Sequence, residues 1–301
     1  MTGTVHQAVT RGRGIGGRDR EARAPHDPTR DALGKRSFSI CSQGVSVSDL
    51  GYEAAGTGDP ALLFFHGWCG DRSFFAPQFD FFSDRHRVVS VDLPGHGASA
   101  LPEEYSIEAF ANKAAELAHE LRLGRSIVFG HSIGAMVALA LAHQSAELVG
   151  AVALIDPPPL SKEVWKGFAT QLITSFEGPD GPAGRRQFVE QMFLPTDDPT
   201  RRAEIIQTMT SVSNDIAIPL VRAIAAFDGM AALRECKVPI LVISSAVPTN
   251  NAESLLEANP TITLGQTVGA GHFLQLEVPE QVNPMIERFL AIIPGSSLSS
   301  G

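Results

Sequence analysis

Cysteine is scarce in this chain. The three present, Cys41, Cys69 and Cys236, are odd in number and far apart, with no CxxC and no metal-ligand spacing. This argues against a disulfide scaffold or a metal centre and fits a reducing, cytoplasmic setting. Long apolar runs are missing too. The longest, residues 133–142, is about half a membrane span and reads as a core helix. Positive charge is also short, with 24 Lys+Arg against 33 Asp+Glu and a net charge of −9. Nucleic acid and an anionic bilayer would both be repelled, so neither is an expected partner. Aromatic residues make up only 7%, yet 44% of the 301 residues are hydrophobic. That is enough for a sizeable core, and it suits one α/β domain carrying an insertion.

The ends differ from the rest. Residues 1–36 carry eight basic and four acidic side chains and no apolar run. They read as a solvated, disordered extension rather than a secretory signal. Residues 294–301, rich in Ser and Gly, read as a flexible tail. Gly12-Arg13-Gly14-Ile15-Gly16-Gly17 matches GxGxxG, but no buried strand precedes it and no helix pattern follows. It is therefore not read as a dinucleotide site, and no cofactor is expected.

From residue 37 short apolar runs alternate with helical patterns, the rhythm of a mostly parallel sheet covered by helices. Strands are expected at 37–41, 45–52, 61–65, 88–92, 126–130, 151–156, 239–244 and 261–264, the first two as an antiparallel hairpin. Helices are expected at 74–82, 106–121, 133–144, 251–258 and 279–292. Between 157 and 232 no buried strand pattern occurs, a stretch too long for a bare loop. Helical segments near 161–177, 184–194, 199–212 and 215–228 fill it. In the first of these Trp165, Phe168, Leu172 and Phe176 share one face. The insertion begins where a parallel sheet places its site, beyond a strand's carboxyl end, and is read as a helical lid. The core is then 37–156 and 233–293.

Three local patterns carry chemistry. Gly130-His131-Ser132-Ile133-Gly134 lies between a strand and a helix. Small residues two positions either side of Ser132 permit a sharp turn, and the helix start behind it offers partial positive charge to an oxyanion. His66-Gly67-Trp68 ends an earlier strand, where the amides of Trp68 and Ile133 could converge on one carbonyl oxygen. Gly269-Ala270-Gly271-His272-Phe273 gives an imidazole a loop free to reach back over the sheet. His66 and His96 read as turn-organising residues. Trp68, Trp165 and Phe168 are candidate substrate walls.

HGW after one strand, DLPGHGAS after the next, GHSIGA at the elbow and GHF before the last helix together resemble the α/β-hydrolase superfamily. The likeness spans roughly residues 45–293. It implies the α/β-hydrolase fold: a mostly parallel eight-stranded sheet with helices on both faces and a helical cap. It also implies Ser132 as nucleophile, His272 as general base, and the Trp68 and Ile133 amides as oxyanion hole. Relatives usually carry an Asp just after the strand that is here 239–244, but Ser244 to Asn251 contains no carboxylate. Asp156, which ends the strand next to the nucleophile strand and lies roughly 5 Å across, is the expected acid. The alternatives are Glu253 and no functional acid.

A serine cannot form the alkyl-ester intermediate of dehalogenases and epoxide hydrolases, whereas acyl transfer suits it. The expected function is hydrolysis of a hydrophobic carboxylic ester or lactone of modest size through an acyl-enzyme. Activity should rise as the His272 ring loses its proton. Other readings on the same scaffold are a cofactor-independent dioxygenase, a C–C bond hydrolase and a non-catalytic ligand receptor. Gly67-Trp68-Cys69 resembles the dioxygenases, although Gly70 stands where that group carries a histidine.

Overall fold

A computed structural model describes residues 48–293. The expected strand at 37–41, the extension 1–36, the string at 12–17, Cys41 and the tail 294–301 lie outside the described residues.

Among the described residues seven strands form one sheet: β1 (Tyr52–Ala55), β2 (Leu62–Phe65), β3 (Val88–Val91), β4 (Ser126–His131), β5 (Val149–Ile155), β6 (Ile240–Ser244) and β7 (Ile262–Gln266). Their order is β1-β3-β2-β4-β5-β6-β7, with β1 antiparallel to β3 and every other pair parallel. Of the expected run 45–52, the described part, 48–52, is strand only at Tyr52. Residues 49–51 are drawn instead into the loop after β3, where Asp92 N donates to Gly51 O and Ala100 N to Asp49 O.

The period-2 alternation of strand side chains splits the core into two layers. Leu63 and Phe65 of β2, with Val128 of β4, face one layer; Leu62 and Phe64, with Phe129, face the other. The first layer is covered by α2 (Ile107–Glu120) and α3 (Ile133–Gln144), the second by α1 (Ala76–Phe82) and, near the C-terminus, Pro279–Ile292. Ser106 starts α2 as expected of an N-cap, its hydroxyl accepting from Ala109 N at 3.0 Å. Helix α3 is buried from Ile133 to Ala142, which explains why it is apolar on every side.

Between β5 and β6 run six helices: α4 (Lys162–Trp165), α5 (Phe168–Glu177), α6 (Gly181–Glu190), α7 (Pro199–Ser211), α8 (Asn214–Ala226) and α9 (Gly229–Glu235). Three more follow, α10 (Ala252–Ala258), α11 (Leu274–Glu277) and α12 (Pro279–Ile292). Among the described residues no single helix is long and apolar enough to cross a membrane.

Candidate active site

The parallel register sets the site. His131 of β4 pairs with Ile155 of β5, so Ser132 and Asp156 occupy equivalent positions just beyond neighbouring strand ends. Ser132 has φ 54° and ψ −122°, a strained conformation that puts its side chain above the sheet. The turn is held by Ser132 N donating to Ile155 O at 3.0 Å. It closes so tightly that a Cβ on Gly130 would overlap the Gly134 carbonyl, and one on Gly134 would sit 2.6 Å from His66 O. The contacts are with backbone, which cannot swing aside. Gly134→Ala should therefore cost roughly 3 kcal/mol or more, read as a lowered urea midpoint; an unchanged midpoint would contradict this packing.

His272 follows β7 on the Gly269–Phe273 loop. Its Nδ1 donates to Asp156 Oδ2 at 2.7 Å, which fixes the tautomer and leaves Nε2 with its lone pair. Asp156 is 2% exposed. Its other oxygen accepts from Ser245 N at 2.8 Å, and its own N–H donates to Ile243 O. The acid-free turn after β6 thus supplies an amide that orients a carboxylate from the strand beside it. Glu253 lies exposed on α10.

Ser132, Asp156 and His272 line one cavity of about 450 Å³. Ser132 Oγ makes no hydrogen bond within the described residues. Trp68, Trp165 and Phe168 line the same cavity, with Leu172, Phe188, Met192, Val221 and Ile224 from the helical insertion. Trp68 stacks on Phe176 and donates its indole N–H to Ala217 O at 2.9 Å. Trp165 donates to Pro159 O and packs on Phe168. The Trp68 and Ile133 amides are not taken up by loop hydrogen bonds among the described residues.

His66 donates from Nδ1 to Gly67 O and accepts Leu93 N at Nε2, with His96 edge-on to its ring. Burial, reinforced by His96, holds the His66 ring well below the ordinary imidazole range. Sequence reading missed His131. It is fully buried, and its Nε2–H donates to His272 O at 2.9 Å. Burial and the neighbouring His272 keep it well below the ordinary range, hence neutral. The only available signal was its place beside Ser132, where strand alternation turns it to the opposite side. His86 is also buried, with its Nδ1 against Pro60 O. Burial pushes the Cys69 and Cys236 thiols up, so neither is an activated nucleophile. Among the described residues no group of three His, Cys, Asp or Glu could hold a metal ion.

A sheet of this order with an elbow serine, a carboxylate-paired histidine and a helical insertion defines an α/β-hydrolase fold. The chain belongs to the alpha/beta hydrolase family, whose model matches residues 62–285. It is 26% identical over 249 residues to a Haemophilus influenzae protein named provisionally as an esterase/lipase, covering 77% of this chain and 83% of that one. A 2-(acetamidomethylene)succinate hydrolase of Mesorhizobium japonicum is 38% identical over 101 residues, which is 33% of this chain and 36% of the relative. Among solved structures, the enol-lactonase of Burkholderia xenovorans LB400 superposes with a TM-score of 0.70 at 24% identity, over 80% of this chain and 96% of the other. A thermophilic esterase of Thermogutta terrifontis gives 0.70 at 24%, over 80% and 93%.

Proposed function

We propose that the protein is a serine hydrolase of carboxylic esters or lactones working through an acyl-enzyme. The observation that carries this reading is the 2.7 Å His272–Asp156 bond in the same apolar cavity as a serine held at a strained elbow. Ser132 Oγ attacks the carbonyl carbon while His272 Nε2 takes its proton. Asp156 keeps Nδ1 protonated and stabilises the imidazolium. The amide of Trp68, in the loop after β2, and that of Ile133, at the start of α3, receive the oxyanion. His272 then protonates the leaving alkoxide and deprotonates the water that releases the acid. Helices α4 to α8 act as the lid, and their aromatic face receives the acyl group.

No Lys or Arg lines the cavity, and its charged member, Asp156, is negative. A substrate carboxylate would be desolvated without a partner, so the substrate is neutral and apolar. Neutral aryl and alkyl esters are expected to exceed matched esters bearing a free carboxylate by roughly 10-fold or more in kcat/KM. Equal rates would refute this preference.

The testing experiment sets a panel of aryl esters and lactones of increasing size beside fluorophosphonate labelling with peptide mapping. Turnover, with the label on Ser132, is the expected result. Labelling failure with oxygen consumption on a heteroaromatic substrate would overturn the reading in favour of a dioxygenase.

A further inference from the structure

The loop bearing His272 is tied not only to the sheet but also to the helical insertion. The segment between α6 and α7 runs against it, and the ties are backbone-specific. His272 N donates to Met192 O at 2.9 Å. Asp197, 7% exposed, accepts Leu194 N at 2.7 Å on Oδ2 and Gly271 N at 3.0 Å on Oδ1. Thr196 Oγ1 donates to Gly269 O at 2.8 Å. The approach requires a glycine: a Cβ on Gly271 would lie 2.5 Å from Asp197 Oδ2 and 2.7 Å from Met192 O.

Among the described residues no cation pairs with Asp197; the nearby Arg201 pairs with Glu277. Its charge is therefore compensated by backbone amides alone, one from each of two chain segments. A carboxylate taking two amide bonds is stronger than a neutral acceptor, and it loses most when one amide is left unpaired. On the opposite side His272 O is held by His131 Nε2. The residue is thus gripped at its N–H by the insertion, at its carbonyl by the nucleophile strand and at its ring by Asp156. Met192, Phe193 and Leu194, from the gripping segment, also line the cavity.

We propose that Asp197 is a positioning residue for His272, a buried carboxylate clasp joining the base-bearing loop to the 192–194 cavity wall so that wall and base move as one body. As a claim about catalysis this rests on the role given to His272 above; as a claim about the loop it does not.

The test is Asp197→Asn in the full chain, with Thr196→Ala as a neighbouring control. Asparagine matches the size but can accept only at one atom, so one of the two amides loses its partner. Amide exchange at Gly271 and His272 should accelerate roughly 10- to 100-fold, while amides of β4 and β5 keep wild-type rates. For a short neutral ester kcat should fall roughly 10- to 100-fold with KM little changed, since a displaced base slows chemistry without removing binding surface. Thr196→Ala, which leaves both Asp197 bonds in place, should shift these readouts less than 3-fold (~0.6 kcal/mol). Exchange and kcat within twofold of wild type in Asp197→Asn would overturn the proposal, as would equal acceleration of all core amides. Faster local exchange in a protein with no esterase activity at all would uphold the clasp and count against the hydrolase reading alone.

Discussion

Asp156→Asn is expected to lower kcat on an aryl ester by roughly 10³- to 10⁴-fold while leaving the fold intact. The reason lies in the two bonds the carboxylate makes. Oδ1 accepts from Ser245 N, and an asparagine would keep its carbonyl there. Its amide nitrogen would then face His272 Nδ1, where a carboxylate oxygen now accepts at 2.7 Å. Two donors cannot share that contact, so the ring would shift its proton to Nε2 and lose the lone pair that receives the serine proton. Ser132→Ala should abolish turnover altogether, leaving only background hydrolysis. Glu253→Gln, on the exposed face of α10, should stay within about twofold of wild type. Steady-state kinetics on all three, with circular dichroism to check folding, tests the assignment. A near-wild-type Asp156→Asn protein would remove Asp156 from the mechanism.

A second large effect is expected on stability. Burial, first among the causes in each case, lowers the proton affinity of His66, His96 and His131 in the folded protein. In the unfolded chain each ring titrates at about 6.5. These neutral rings therefore contribute fully above that value. As pH falls below it, the unfolded chain takes up protons that the folded chain refuses. Each ring that stays unprotonated then costs up to about 1.4 kcal/mol per pH unit, so His66 and His131, held well below the ordinary range, cost together up to about 3 kcal/mol by pH 5.5, and His96 adds in the same direction. Against a total of roughly 5–15 kcal/mol this is a large share, and Tm should fall by roughly 10 °C between pH 7.5 and 5.5. Calorimetry at the two pH values would settle it; a Tm that held steady or rose on acidification would show that these rings are not excluded from protonation.

The α/β alternation was legible from residue 61 onward because buried parallel strands and amphipathic helices have different periods, and both are strong here. The elbow was legible because Gly130 is demanded by a contact local to the turn, the Gly134 backbone, although Gly134 itself is demanded by the backbone of Phe65 and His66 at the end of β2. At the edge the reading weakened. Val45 to Tyr52 has a strand-like composition, yet the backbone of residues 49–51 is engaged by the loop after β3, and pairing with β3 begins at Tyr52. Composition cannot show which backbone groups a distant loop will occupy.

The site divides in the same way. Local sequence by itself determined that a serine would stand at a strand-to-helix bend and that a glycine-flanked histidine would follow the last strand, because both depend on the conformational freedom of adjacent residues. It also narrowed the acid to Asp156, Glu253 or none. Only the tertiary structure separates the two by place, since strand order and register put Asp156 beside Ser132 and leave Glu253 at the surface. The Ser245 amide, His131 and Asp197 entered the site by the same route. Each meets the His272–Asp156 pair or its loop through a hydrogen bond between segments far apart in the chain, and such a bond has no periodicity or spacing by which sequence could announce it.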